Sequence, residues 1–431
     1  MKPRPLAAIL VILAACSSER PFYPPPPGVT DTGTTTAGTG GAGGSGPITA
    51  GPVISIAPIA NWEAETHLAR ASDGRVFAVW IALQLGSGRL IDYAISPDDG
   101  ATWSQPGVVP SDPDAEAVDP SVTVDAAGVF HVAWLEIPAA GARRVKTAEY
   151  LDPGDVFSIP VEVTDPASPA DWDKPWILAL DEGGLFLIWG RETGNTLVAA
   201  TSPDGATWQR TPIAPDGTLR NVAIPCSAGK GRLHVTNLVP GGVELSRSDD
   251  GGATWSKPVR VDPPGQPAAF EQPSCVASGD EVWVLYGTSP DPDDAKHTPL
   301  LQTLVIAHST DGGATFADRH TFGGATGPRA LVPFLSRAPG GRLDVIGYYG
   351  AKAGDAQAAV RWFRSPDGVT WGDVRTVHAP VLLETARDGF GWLGDYVGVW
   401  SEDDAVYVTF ADNLAGAGEL SHVRFGRVAA P

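Results

Sequence analysis

Methionine and cysteine are almost missing from this chain of 431 residues, which holds one Met and three Cys. So few Cys exclude a small scaffold held together by a dense set of disulfides. Basic residues are also scarce, 30 Lys and Arg against 50 Asp and Glu, a formal net charge of −20. Such a field repels the phosphate backbone and excludes nucleic-acid binding by phosphate neutralisation. No apolar run is long enough to remain in a bilayer as a spanning helix. What is abundant is 51 Gly, 40 Pro and 14 Trp, with 43% hydrophobic residues. A disordered polyanion would not carry so many Trp and aliphatic side chains. Gly, Pro and Trp together point to many short strands joined by tight turns. The length suggests two or three domains, unless a repeat arranges the whole chain around one axis.

The first residues form an address. Lys2 and Arg4 precede a ten-residue apolar run, residues 6–15, which ends in Leu13-Ala14-Ala15-Cys16. This arrangement resembles the lipobox of bacterial lipoprotein precursors. The resemblance implies cleavage after residue 15, lipidation of Cys16, and a mature chain anchored to a membrane only through its lipid. Removal of Lys2 and Arg4 takes the net charge from −20 to −22. Ser17, where an Asp would favour inner-membrane retention, implies the outer membrane of a Gram-negative cell. Residues 16–50 then run through Pro24 to Pro27, Thr34 to Thr36, and Gly40-Gly41-Ala42-Gly43-Gly44. Nothing there can bury a core, so the segment reads as a spacer with an r.m.s. reach on the order of 30 Å.

Residues 51–431 carry a repeat. Ser96-Pro-Asp98-Asp-Gly100-Ala-Thr102-Trp103 returns as Ser248-Asp-Asp250-Gly-Gly252-Ala-Thr254-Trp255 and Ser309-Thr-Asp311-Gly-Gly313-Ala-Thr315-Phe316. Two copies are one residue shorter, Ser202-Pro-Asp204-Gly205-Ala-Thr207-Trp208 and Ser365-Pro-Asp367-Gly368-Val-Thr370-Trp371. A degenerate sixth, Asp152-Pro-Gly154-Asp-Val-Phe157, falls where the spacing requires one. In such a turn Asp accepts backbone N–H groups, Gly supplies a positive φ, and the aromatic ring plugs the space beneath. The motif is similar to the Asp-box, or bacterial neuraminidase repeat, of the sialidase-like β-propeller superfamily. In that superfamily the box is a structural turn on the outside of a blade. Asp98, Asp152, Asp204, Asp250, Asp311 and Asp367 are therefore structural rather than catalytic.

A second recurrence sets the blade count. Alternating strands begin near Arg75, Val129, Leu185, Arg232, Glu281, Arg342 and Ala405, seven against six boxes. Each is flanked by a further candidate strand on either side, and the seventh unit lacks a box. Residues 53–57 can supply its missing outer strand. The expected fold is thus an all-β, seven-bladed propeller closed by its N-terminal strand, with six blades as the alternative. Sialidase catalytic domains have six, so the expected count departs from those enzymes.

In a propeller the starts of the innermost strands surround the mouth of a central channel. Five of the seven starts carry an acidic residue: Glu65, Asp119, Asp173, Glu271 and Asp395. These carboxylates either cap backbone donors or form a ring that binds a cation, calcium for example, or works as acid/base pairs. No cofactor is called for. The superfamily resemblance implies three Arg that clamp a sugar carboxylate, a Tyr nucleophile activated by Glu, and an acid/base Asp. Its Phe/Tyr-Arg-Ile/Leu-Pro motif is replaced here by Glu65-Thr66-His67-Leu68-Ala69. Arg191, Arg220 and Arg329 could form a substitute clamp, though Arg also serves as the ordinary surface cation. Tyr396, beside Asp395, is the candidate phenol. Trp62, Trp172, Trp176 and Trp392 lie in mouth segments where sugar rings would stack, whereas the box and strand Trp residues read as core.

Cys226 and Cys275 each stand five residues before the turn residue of their blade, Gly231 and Asp280. An oxidising compartment permits a bond, but equivalent positions would point the same way round the ring, and small-residue packing would then suffice. The sequence alone leads to a lipid-anchored monomer that binds, and hydrolyses if the carboxyls or Tyr396 are so placed, an extracellular glycan. A surface scaffold for a protein or polymer is the other reading. Cys16→Ser is expected to abolish labelling by a fatty acid and to move the chain from the membrane to the soluble fraction. Unchanged membrane association would contradict the anchor.

Overall fold

The computed structural model describes residues 52–430 apart from residues 58–61, 85–87, 153, 192–195, 214–217, 219–220, 266–271, 290–301, 323–328, 352–356, 383–392 and 414–420. All regular structure among the described residues is β-strand, arranged in seven antiparallel sheets. Each sheet is a blade of four strands, with one additional short strand, Val156–Phe157, in blade 2. The inner strands are Trp62–Arg70, Ala115–Val124, Trp172–Ala179, Asn221–Gly229, Ser274–Ser278, Arg329–Arg337 and Gly398–Ser401. Each packs beside the inner strand of the next blade, and the seventh beside the first.

The fold expectation holds in its detail. The seventh blade is built from Gly398–Ser401, Ala405–Asn413, Ser421–Ala429 and, as its outer strand, Ile54–Ser55. Ile54 pairs with Phe425 and Ser55 with Arg424. The two ends of the propeller chain therefore share one sheet and leave no open ring edge.

Between blades the core is apolar, as the period-two alternation of the second strands requires. Phe77 of blade 1 stacks on Phe130 of blade 2 with ring centroids 5.2 Å apart. The recurrent turns lie between the third and fourth strands. Asp98 Oδ1 accepts the Thr102 N–H at 2.7 Å and its Oδ2 the Thr102 hydroxyl at 2.8 Å. Ser96 Oγ accepts the Gly100 N–H at 2.8 Å, and Trp103 Nε1 donates to the Gly100 carbonyl at 3.1 Å. Gly100 has φ +85°, and a Cβ there would strike the Phe425 ring of blade 7. Asp250 and Asp311 repeat this bonding, while the shorter turns use Asp204 and Asp367 to accept two consecutive N–H groups. These hydrogen bonds hold the carboxyls of Asp250, Asp311 and Asp367 down to about 2.

The sixth turn differs from its expectation. Asp152 is exposed and pairs with Arg75 of the neighbouring blade at 3.1 Å. Asp155, at φ +49°, instead accepts the hydroxyls of Tyr93 and Tyr150, each at 2.9 Å. This segment has no Ser or Thr to complete the box, and two tyrosines supply the missing donors.

Cys226 and Cys275 form a disulfide, which corrects the symmetry argument. The inner strand of blade 4 has a bulge between Ser227 and Gly229. That extra residue shifts any count made back from the turn by one, and one residue reverses the face of a side chain. The two cysteines thus occupy opposite registers and face each other, with Cα atoms 5.8 Å apart. The bond closes a loop of 49 residues between adjacent blades. Replacing both cysteines by Ser should lower stability by about 2–4 kcal/mol, measured by urea unfolding. An unchanged unfolding midpoint would show that blade packing alone holds this interface.

Candidate functional site at the channel mouth

Four inner strands share one irregularity. Each has a bulge in which a non-glycine residue takes a left-handed backbone: Glu65 (φ +51°), Asp119 (+53°), Lys174 (+48°) and Val332 (+52°). Such a conformation costs roughly 1–2 kcal/mol per residue and persists only where the surroundings impose it. Three of the four residues are followed by Pro, which itself disfavours a right-handed helical backbone at the preceding position.

The interblade bonding fixes which residues correspond. The N–H three positions after the bulge residue donates to the side chain two positions after the bulge residue in the preceding blade. Val122 N–H thus meets His67 Nδ1 at 3.0 Å, and Ile177 N–H meets Ser121 Oγ at 3.1 Å. Leu335 N–H meets Ser274 Oγ at 3.1 Å, which assigns Gln272, followed by Pro273, to the matching position of blade 5. On the approach to blade 7, Gly394 has φ +100° and lies so close to Glu65 that a Cβ would collide with its backbone.

These positions converge on one ammonium. Lys174 Nζ lies 2.6 Å from Glu65 Oε1, 2.7 Å from Asp119 Oδ1 and 2.9 Å from Asp395 Oδ2. It thereby joins blade 3 to blades 1, 2 and 7. Glu65 is fully buried, while the side chains of Asp119, Lys174 and Asp395 retain 8%, 12% and 17% of their exposure. Burial alone would lower the Lys174 ammonium, yet Asp119, Asp395 and Glu65 lift it well above the ordinary lysine value. Burial pushes the Glu65 carboxyl well above its usual range despite Lys174. Burial also opposes ionisation of Asp119, but Lys174 and a hydrogen bond from the Glu65 carboxyl hold it below its usual range. Glu65 Oε2 receives no hydrogen bond from a donor among the described residues. Burial thus favours the neutral form of Glu65, and Lys174 the ionised form of Asp119.

Beneath this cluster an aromatic layer closes the channel. Trp176 stacks on Phe334 at 5.4 Å and meets His67 at 4.7 Å and Tyr396 at 5.3 Å edge-on. Burial lowers His67 to about 3, so the ring is neutral, with Nδ1 as the acceptor toward Val122. Tyr396 is buried, donates its hydroxyl to the Pro120 carbonyl at 2.8 Å, and lies 5.8 Å from the Lys174 ammonium. Burial first, then the charges of Glu65 and Asp119, raise its phenol well above the ordinary value.

The structure sorts the residues singled out in the sequence. Asp119 and Asp395 join the cluster together with Glu65. Asp173 does not hold the corresponding position in blade 3. Its neighbour Lys174 does, as the left-handed residue of the shared bulge, and Asp173 acts on Lys174 through its charge. Glu271, Arg220 and Trp392 lie outside the described residues. Arg191 is half-exposed and holds Asp171 at 2.9 Å. Arg329 pairs in its strand with Gly350 at the outer end of the blade 6 register. Trp172 is buried edge-on against Trp189 at 6.2 Å, and Trp176 is buried in the aromatic layer, so neither offers an open face to a sugar ring. Trp62 is partly buried. Among the described residues no group of three His, Cys, Asp or Glu side chains is arranged to hold a metal ion. Lys174 occupies the centre of the three carboxylates. It escaped the sequence reading, although the recurring X-Pro pairs Asp119-Pro120, Lys174-Pro175, Gln272-Pro273 and Val332-Pro333 mark its register.

No family model matches the chain, and no curated protein matches it. Among solved structures it is similar to a protein of unknown function from Dyadobacter fermentans, at 14% identity over 89% of this chain and 99% of the other, with a TM-score of 0.51. It is also similar to an α-L-arabinofuranosidase of Fusarium graminearum in complex with an iminosugar inhibitor, at 14% identity, 89% and 98% coverage and a TM-score of 0.51. The NanB sialidase of Streptococcus pneumoniae follows at 15% identity, 86% and 68% coverage and 0.47. The first two likenesses establish a shared fold.

Lys174→Met would leave three carboxyls without their cation and should cost about 3–5 kcal/mol at neutral pH. The depressed Asp119 contributes stability that is present above its unfolded pKa and lost as pH falls through its folded one. Without Lys174 that contribution disappears, and Asp119 takes up a proton more readily. The stability gap to the wild type, read by urea unfolding, should therefore narrow from pH 7 to pH 4. A gap independent of pH would show that the ammonium does not govern the carboxyls.

Proposed function

We propose that this protein is a lipid-anchored, extracytoplasmic glycan-binding propeller that engages its ligand at the channel mouth around Asp119, Lys174 and Asp395. One observation carries the reading: strained backbone in separate blades is held so that charged side chains meet at the mouth. Strain of this kind collects at functional sites, where it fixes side chains in advance of binding. Partly exposed carboxylates beside an ammonium offer acceptors and donors suited to sugar hydroxyls, and charge-assisted hydrogen bonds are the stronger kind. An arabinofuranosidase with a propeller of this fold is consistent with a sugar ligand at such a mouth. The anchor at Cys16 and the spacer that follows would hold the propeller off the outer membrane.

Binding is favoured over sialidase-type turnover by the position of Tyr396. Its hydroxyl is spent on the Pro120 carbonyl and its phenol is held protonated, which is the reverse of an activated nucleophile.

The test is retention on an immobilised oligosaccharide panel, run beside hydrolysis of chromogenic glycosides. The wild type is expected to bind members of the panel, and Asp395→Asn to weaken binding about 10-fold, the effect of losing a charged hydrogen bond. Equal retention of wild type and Asp395→Asn would remove the mouth from the binding site. No retention of the wild type by any glycan would favour the scaffold reading.

A further inference from the structure

The mouth is divided. Asp395 on the approach to blade 7 joins Glu65, Asp119 and Lys174 of blades 1, 2 and 3 on a charged side, whereas Gln272 of blade 5 and Val332 of blade 6 hold the matching positions opposite. On the neutral side three primary amides are buried without partners, Asn237 in blade 4 and two in blade 5. Gln272 is 5% exposed and Gln302 fully buried, and neither amide nitrogen nor oxygen of either residue has a hydrogen-bond partner among the described residues. Most buried amides in folded proteins are bonded, because a desolvated donor or acceptor without a partner is costly. Two such amides in one blade therefore call for a ligand.

Their placement is specific. Leu285 pairs with Ile306 and Gly287 with Leu304, so Gly287 and Gln302 fall on one face of blade 5. Gly287 carries no side chain there, and the Gln302 amide leans over it, with Nε2 2.7 Å from where a Cβ would stand. Gln302 thus reaches toward the inner strand, on the side where Gln272 holds the position that Glu65, Asp119 and Lys174 hold elsewhere. Its own carbonyl accepts the Ala330 N–H of blade 6 at 3.2 Å, which fixes the backbone beneath.

The charged side has a clear sign. Lys174 faces Glu65, Asp119 and Asp395, with Asp173 also acting on it, and Arg191 is engaged by Asp171. Among the described residues the mouth therefore carries excess negative charge even with Glu65 protonated. Among the described residues an anionic sugar would meet like charge, while an uncharged one would meet acceptors on one side and bare amides on the other.

We propose that the mouth selects uncharged sugars over sialic acid or other anionic sugars, with the Gln272 and Gln302 amides as the subsite for hydroxyl or acetamido groups. This inference rests on the glycan reading above. Each amide offers one acceptor and two donors, the pairing that a vicinal diol or an acetamido group completes.

The test uses the full chain on a panel of galactose-, N-acetylglucosamine- and arabinose-terminated oligosaccharides with sialylated counterparts, alongside thermal unfolding. The wild type should retain uncharged members at least 10-fold more strongly than sialylated ones. Gln272→Leu and Gln302→Leu should each lose at least 10-fold in that retention while unfolding at the wild-type temperature or above, since each removes an unpartnered amide. Where a Leu variant does not fold, Gln272→Glu tests the same point, and its binding should fall as sharply. Equal retention of sialylated members, or wild-type binding by the variants, would overturn the subsite and leave the glycan reading standing. So would a lowered unfolding temperature with unchanged binding, the mark of amides bridged by structural water. A wild type that retains no glycan would overturn both.

Discussion

One ammonium organises the centre of this propeller. Lys174 sits within 3 Å of carboxyls from three other blades, and an ion removed from water to that degree is tolerable only where its partners are fixed beforehand. The left-handed bulges provide that fixation. Each interrupts its strand at the left-handed residue and the one after it, and pairing resumes two positions on, at His67, Ser121, Trp176 and Phe334. The strain at Glu65, Asp119 and Lys174 is offset by the contacts to one cation that it permits. Val332 adopts the same backbone without a charge to present, so the bulge belongs to the repeat, and the charges were placed upon it.

Closure supports this arrangement from the outside. The pairing of Ile54 with Phe425 joins the ends of the ring, and Lys174 joins blade 7 to blades 1, 2 and 3 near the axis. The two devices act at opposite ends of the blades. The disulfide between Cys226 and Cys275 ties blades 4 and 5, which receive nothing from the ammonium. Charged contacts hold one arc of the ring, and a covalent bond holds part of the other.

Much of the fold was legible because the repeated turn is chemically exacting. Asp, Gly and Thr must stand at fixed offsets for one carboxylate to bind the turn, so five copies survive in plain view, and seven hydrophobic alternations count the blades. The site was legible only in part, and for one reason. Counting from turn to strand start assumes a constant number of residues, and bulges break that constancy. Cys226 and Cys275 were given equal registers that differ by one, because blade 4 alone carries the bulge between Ser227 and Gly229. Trp172 and Trp176 were read as stacking platforms from their location in mouth segments, but the aromatic layer under the mouth needs large side chains and buries Trp176 within it. The degenerate turn at Asp152 failed for a different reason, since no Ser or Thr was present and tyrosines from two blades took over the bonding at Asp155.

The asymmetry of the mouth has a further consequence for how such a repeat acquires function. A symmetric ring of seven equivalent positions would present seven like groups to one axis, and like charges so close could not all ionise. Placing one Lys among three acids resolves that conflict locally, and it uses up four positions to do so. Other blades are released from electrostatic duty, so Gln272 and Val332 can be neutral without weakening the centre. The charged arc fixes the framework, and recognition of an uncharged ligand can then rest on side chains that the framework does not need. By the same logic Tyr396 is withdrawn from chemistry. Its hydroxyl spans from blade 7 to the Pro120 carbonyl of blade 2, bracing the strand that presents Asp119.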